Sequence, residues 1–513
     1  MLNSSGTSIS QNQKALLWAL GILLAFFLVF FNLTRFPTPW FDEGSHLHVP
    51  KTLVQHGVYA DISSEGFRYY GPTIGVGPTV MLPIAAMFKL FGIGLLQARL
   101  VMALYLLAAI YTFYRLVDHV SGKVVALVAM ALMLSSRSVL FLEYGRQLLG
   151  EVPGFFFLSL ALYLWLSKWN ENDWKRLSLI GLLFGLAMIT KYQYLLFLAP
   201  MLILSWFLDI FYYKNSTHRN FLVPGIIAAG SFGIWQVITL QYLGPATAME
   251  NLALLQASAE GAAFNFNMAQ LSANFGELTS RAVYLGALFP ALFYGFFISI
   301  PGTREGQKWS VLFLLVALNL GWFVVASIGW IRYAFLGLTL SSIFIARLFS
   351  DITDGFKFDW SSGYFRSFFE SKNSYRFAVV VWLLAIIIIP MAKNVLEIAA
   401  PGPAYAEQMS AYLDENVPQP AIIETWDPEM GFLTDHNYHY PPNALLAIAV
   451  DQVYYGGEPV QGHYDFVQTE KPEYLLIGEF SKWTEIYSPE YVQENYKLMQ
   501  SFGDYDLYQR IGQ

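Results

Sequence analysis

Leu177 to Tyr213 reads LSLIGLLFGLAMITKYQYLLFLAPMLILSWFLDIFYY, an apolar run broken by one cation, Lys191, and one acid, Asp209. As a single helix rising 1.5 Å per residue it would extend ~55 Å, against a bilayer hydrocarbon core of ~30 Å. The run must therefore fold back, and Lys191, at the centre of TKYQ, belongs at the hairpin tip. Val311 to Phe349 repeats the pattern, with Gly329-Trp330-Ile331-Arg332-Tyr333 at the turn. Two hairpins of this kind predict a polytopic α-helical membrane protein.

The rest of the chain extends the ladder. Ala15–Leu33 forms a first span, too long for a signal-peptide core and without a small-residue cleavage site. A polar loop from Thr34 to about Pro78 follows, then TVMLPIAAMFKLFGIG, a short run suited to a helix lying in the interface. Ten further apolar runs between Arg99 and Ala392 bring the expectation to about 11 transmembrane helices, with interfacial helices in the first outer loop. With the amino terminus cytoplasmic, the inside connections and Lys14 collect half of the 30 Lys and Arg. This satisfies the positive-inside bias. The first loop, a loop from Gly244 to Arg281 and the carboxy-terminal tail then lie outside.

Composition agrees. The chain has 513 residues, 55% of them hydrophobic, 17% aromatic and 13% charged. Its net charge of −7 argues against nucleic-acid partners, and the absence of cysteine excludes disulfides and thiolate metal sites. The tail holds about half of the 37 acids but few bases. PAIIETW, EYLLIGEF and YDLYQRI read as strands, and YAEQMSAYLDENV and SPEYVQENYKLMQSF as helices. The expected division is a transmembrane catalytic domain over 1–395 and a small soluble α/β domain over 396–513.

This ladder delivers Asp42, Glu43, Glu151, Lys191 and Arg332 to one membrane face from four separate connections. Each residue has an ordinary role available: cations snorkel, and an acid complements a helix amino terminus. Together they suit a particular chemistry. A sugar hydroxyl becomes a good nucleophile when a base accepts its proton, and a departing phosphate needs fixed cations. An inverting displacement requires one base rather than a carboxylate pair.

Several segments occur in a telling order: PTPWFDEGSHLHVPKTLVQHGVY, GPTIGVGPTVMLPIAAMFKLFGIGLLQARL, RQLLGEVPGFFFLSLALYL, GLAMITKYQYLL and IRYAFLGL. Over roughly the first 350 residues the chain resembles the integral-membrane GT-C glycosyltransferases. The likeness is to the branch of glycosyltransferase family 39, the protein O-mannosyltransferases, and the aminoarabinose transferases. The resemblance implies Asp42 as catalytic base, Glu43 as its neighbour and Glu151 as a second acid. Lys191 and Arg332 would stand near the donor phosphate. GVGPTVML lacks the base and double proline often found there, so that donor contact is either missing or replaced by Arg68 or Lys89.

His46, one helical turn after Asp42, is a candidate for acceptor or metal binding, as is Glu260 in the Gly244–Arg281 loop. The metal itself stays unknown: no cofactor is identified, and a divalent ion is left open. The implied donor is a polyprenyl-phosphate-linked sugar, and the acceptor a glycolipid, polysaccharide or protein. The implied location is the cell inner membrane, multi-pass, with the site and tail extracytoplasmic. Alternatives are a transporter or flippase of lipid-linked glycans, or a non-catalytic assembly subunit.

Overall fold

The computed structural model describes residues 11–69, 75–169, 171–264, 266–280, 283–356, 374–469 and 471–512. Its amino-terminal three quarters are helical. Each apolar run read as a span contains a helical segment among the described residues. Six of the described helices are long and apolar enough to cross a membrane, Leu95–Ser121, Gln193–Tyr213, Arg219–Ala257, Arg304–Ala326, Ile331–Ile352 and Tyr375–Ala399. Six shorter apolar helices, Glu151–Ser167 among them, accompany these. The chain is a multi-pass membrane protein. Its main core runs along the helix seams, from Leu28 and Phe113 through Trp165 and Phe184 to Phe344 and Ile386.

The hairpin at Lys191 is built as two helices, Trp174–Thr190 and Gln193–Leu208, with Lys191 as the extended residue between them. Asp173 caps the first of these by accepting from the backbone N–H groups of Lys175 and Arg176. Arg332 sits in a short 3₁₀ turn, Ile331–Ala334, that leads into the helix Phe335–Ile352.

One expectation is corrected after Gly244. The segment read as a loop is helical: Arg219–Ala262 continues through a break at Gly244 (φ 77°, ψ 163°), and Met268–Ser280 forms another helix. Gly244-Pro245 ends the apolar span, but ATAMENLALLQASAEGA is rich in strong helix formers and resumes the helix at once. Asn265, and residues 357–373 of the long inside connection, lie outside the described residues.

The first loop supplies the helix Phe41–His56, hereafter the Asp42 helix, and a small hairpin of β1 (Asp61–Ser63) and β2 (Gly66–Arg68). The carboxy-terminal region forms a five-stranded sheet from β3 (Ile422–Glu424), β4 (Asn437–His439), β5 (Tyr474–Ile477), β6 (Tyr496–Phe502) and β7 (Tyr505–Arg510), in the order β4-β3-β5-β7-β6. β3 pairs in parallel with β4 and β5, whereas β5–β7 and β6–β7 are antiparallel. The stretch SPEYVQENYKLMQSF splits, with Pro489–Asn495 helical and Tyr496–Phe502 a strand. β7 offers it an antiparallel edge, and that pairing overrides local helix preference. The helix Leu445–Tyr455 and strand β4 add to the elements expected from the sequence.

The two regions meet on the Asp42 helix. Lys51 Nζ donates to the carbonyls of Gly431 (2.9 Å), Phe432 (3.2 Å) and Thr434 (2.8 Å), and so caps the short helix Glu429–Leu433. His48 Nε2 donates to Pro428 O at 2.7 Å. Gly44 makes this approach possible, since a Cβ there would stand 2.3 Å from the backbone nitrogen of Glu429. Phe41 stacks on Phe480 with centroids 3.6 Å apart.

Candidate active site

Four charged side chains from four distant parts of the chain converge beside the start of the Asp42 helix. Glu151 begins the helix Glu151–Ser167. Its Oε1 accepts from Arg332 Nε at 2.5 Å and also from Lys191 Nζ. A guanidinium nitrogen of Arg332, Nη1, reaches Asp42 Oδ2. Arg332 thus links the two carboxylates, and the four groups carry no net formal charge.

Local sequence explains each placement. A Cβ on Gly150 would lie 3.0 Å from the Cβ of Lys191, so glycine permits the hairpin tip to close on Glu151. Gly77 lets the GVGPT segment run against the same tip. Val76 bridges Lys191, Gly77 N donates to Thr190 O at 3.0 Å, and a Cβ on Gly77 would sit 1.9 Å from Ile189 O. The Lys191 backbone therefore lies directly beside GVGPT.

Burial is uneven. The side chains of Arg332 and Glu151 are each 3% exposed and Lys191 14%, whereas Asp42 is 26% exposed. The guanidinium of Arg332 is ringed by Trp330 (5.2 Å), Tyr144 (5.5 Å) and Trp40 (5.9 Å), which exclude water and favour a cation. Sequence reasoning missed these aromatics, although Trp40 and Trp330 each stand two residues before a charged member of the cluster. Glu151 Oε2 is buried with no hydrogen-bond partner. Glu151, Lys191, Tyr194, Asn319, Arg332 and Tyr333 line a small void of about 20 Å³.

The other candidates fall elsewhere. Glu43, expected as a partner of Asp42 in the site, is fully buried and committed to Arg99, which donates from Nε (2.9 Å) and Nη2 (2.5 Å). Leu148 N adds a third bond to Glu43, and Arg99 Nη1 is satisfied by Leu33 O. A side chain one position along a helix points about 100° away, so neighbours in DE face different surroundings. Arg68, expected at the donor phosphate, instead donates to Asn443 Oδ1 at 2.5 Å and lies over Tyr440, both in the carboxy-terminal region. Lys89 is exposed on its helix. His46 does join the neighbourhood. Its Nδ1 donates to Leu148 O at 3.0 Å, and burial lowers its pKa, with Asp42 opposing and Lys191 and Arg332 reinforcing that shift. Glu260 lies on the helix Arg219–Ala262, but its side chain is outside the described residues.

A metal does not fit this set. Both carboxylates of the cluster are already engaged by Arg332, and the described residues contain no group of three or more His, Cys, Asp or Glu able to hold an ion.

Comparison with known proteins places the fold. Residues 76–235 match a family model described as dolichyl-phosphate-mannose-protein mannosyltransferase. That stretch includes Glu151 and Lys191 but neither Asp42 nor Arg332. No curated protein matches the chain. Among solved structures, ArnT from Cupriavidus metallidurans bound to undecaprenyl phosphate aligns with a TM-score of 0.66 at 12% identity, over 98% of this chain and 99% of that one. The archaeal oligosaccharyltransferase AglB from Archaeoglobus fulgidus, in complex with an inhibitory peptide and a dolichol-phosphate, aligns with a TM-score of 0.60 at 13% identity, over 98% of this chain and 75% of that one. The chain shares the fold of ArnT and AglB over 98% of its length.

Proposed function

We propose that the chain is an inverting glycosyltransferase that moves a sugar from a polyprenyl-phosphate donor to an acceptor hydroxyl at the outer face of the cytoplasmic membrane. The observation that carries this reading is the convergence of Asp42, Glu151, Lys191 and Arg332, with only Asp42 substantially open to solvent. The family-model match and the two structural likenesses support the same class.

In this mechanism the acceptor oxygen attacks the anomeric carbon as Asp42 takes its proton. The bond from that carbon to the phosphate oxygen breaks, and the electron pair leaves with the polyprenyl phosphate. Lys191 and Arg332 stabilise the charge that grows on the leaving group. Glu151 keeps both cations in register until the phosphate enters. One displacement inverts the anomeric centre. A transporter would gather its charges near the bilayer midplane on broken helices; here they stand where helices begin or turn.

The test is a panel of labelled polyprenyl-phosphate sugars offered to the purified protein, with product stereochemistry read by NMR. Turnover of one donor with inversion is expected. Failure of every donor with a folded protein, or retention of configuration, would overturn the reading.

A further inference from the structure

A second site lies on the same helix as Asp42. A pocket of about 410 Å³ opens between the later turns of the Asp42 helix, β1 and the Gly431–Tyr440 stretch of the carboxy-terminal region. Its size falls within the ~300–1,000 Å³ usual for small-molecule sites.

The chemistry of the walls narrows the occupant. Lys51, the cation in the wall, is consumed by three carbonyls and by Asp435, 2.8 Å away. His48 stays uncharged, since burial lowers its pKa to about 3. Asp435 leaves most of its side chain, 73%, open at the rim. The Lys51 charge is therefore matched within the wall itself.

Two residues of the wall carry unmet polar atoms that lie just behind its surface. His436 and Tyr440 are 7% and 6% exposed, and both ring nitrogens of the histidine and the phenolic oxygen of the tyrosine have no hydrogen-bond partner. Asp414 Oδ1 stands 3.3 Å from His436 Nε2 but out of hydrogen-bonding line. Buried polar atoms left unmatched are costly and call for an explanation. Beside them the rings of Tyr438 and Tyr440 lie 19° from parallel with centroids 6.1 Å apart, an aromatic surface among donors and acceptors. A ligand with many hydroxyls and apolar C–H faces meets both demands once His436 and Tyr440 turn toward it.

We propose that this pocket binds a neutral saccharide, a part of the acceptor remote from the hydroxyl that reacts at Asp42. The inference rests on the glycosyltransferase reading. From Asp42 to the pocket-lining residues Lys51 and Gln55, the helix advances ~14–20 Å. That is a span an acceptor of a few sugar units bridges. Because one helix carries both the base and the pocket wall, docking the saccharide fixes the acceptor relative to the base.

The experiment uses the full chain in lipid nanodiscs, without donor, on an array of neutral gluco-, manno- and galacto-oligosaccharides, followed by saturation-transfer NMR on the strongest binder. His436→Phe keeps an aromatic ring and removes both nitrogens, and Ser63→Trp narrows the mouth from β1. Each variant is first checked for an unchanged melting temperature. Wild type is expected to bind at least one neutral oligosaccharide, and His436→Phe to weaken it ~10-fold, the worth of one or two hydrogen bonds. No neutral binder for folded wild type, binding of anionic glycans alone, or equal binding in both variants would overturn the proposal. Donor turnover is measured separately. If it is absent while saccharide binding still responds to His436, the transferase reading fails and the pocket assignment stands.

Discussion

Asp42 and Glu43 are adjacent acids with opposite surroundings, and the contrast separates structure from chemistry in this molecule. Glu43 and Arg99 are both fully buried, paired through two bonds, with Leu148 N and Leu33 O completing their needs. Nothing in that pair remains to meet a substrate. Asp42 shares a cation with Glu151, keeps a quarter of its side chain exposed, and belongs to a cluster in which one carboxylate oxygen is unpartnered. A closed pair fixes the start of the helix; an open cluster is ready to exchange partners. The cluster has no net formal charge, so in the mechanism we propose an entering phosphate wins Lys191 and Arg332 from the carboxylates, which frees Asp42 as the base.

The contrast is sharpest in paired substitutions. Asp42→Asn is expected to lower donor turnover ~10³-fold while leaving the melting temperature within a degree or two, because general bases contribute ~10²–10⁴. Glu43→Gln should do the reverse, costing ~3–5 kcal/mol of stability by leaving Arg99 buried and unpaired, as thermal unfolding in detergent would show. Turnover lost equally in both with stability intact in both would erase the distinction. Arg332→Lys keeps the charge but loses the fork that spans Asp42 and Glu151. Steady-state kinetics should register a ~10²-fold fall in kcat/KM.

The pH dependence of stability probes the docking side of the same helix. His48 has its pKa lowered to about 3, chiefly by burial, and is 3% exposed. The unfolded chain protonates it near 6.5 and the folded chain does not, so the unfolded state binds more protons below that pH and stability falls as pH falls. The loss should reach ~2 kcal/mol between pH 7 and pH 5. His48→Gln should flatten that slope, and an unchanged slope would refute the assignment. The smallest effect expected is that of Arg68→Gln. Held by Asn443 and Tyr440 away from the cluster, Arg68 should alter donor turnover less than ~3-fold.

Much of the scaffold was legible because bilayer thickness is a strict ruler. A run as long as Leu177–Tyr213 had to turn, and its one central cation marked where. The Gly329–Tyr333 turn yielded to the same argument, and Glu151 with Pro153 behind it announced a helix start. What stayed hidden depended on partners remote in the chain. Nothing local distinguishes Asp42 from Glu43, because the difference is made by Arg99 and Arg332. Arg68 looked like a phosphate ligand until the carboxy-terminal sheet supplied Asn443 and Tyr440. The helix beyond Gly244 was obscured by a real break in the span, and β6 by a helix-like sequence that β7 recruits into the sheet.

The most direct test of the account is equilibrium binding of undecaprenyl phosphate to the purified wild type and to Arg332→Gln. Binding to wild type, weakened at least ~10-fold by loss of the guanidinium charge, is the predicted result. Equal binding by both proteins would contradict the claim that this cluster receives the lipid phosphate.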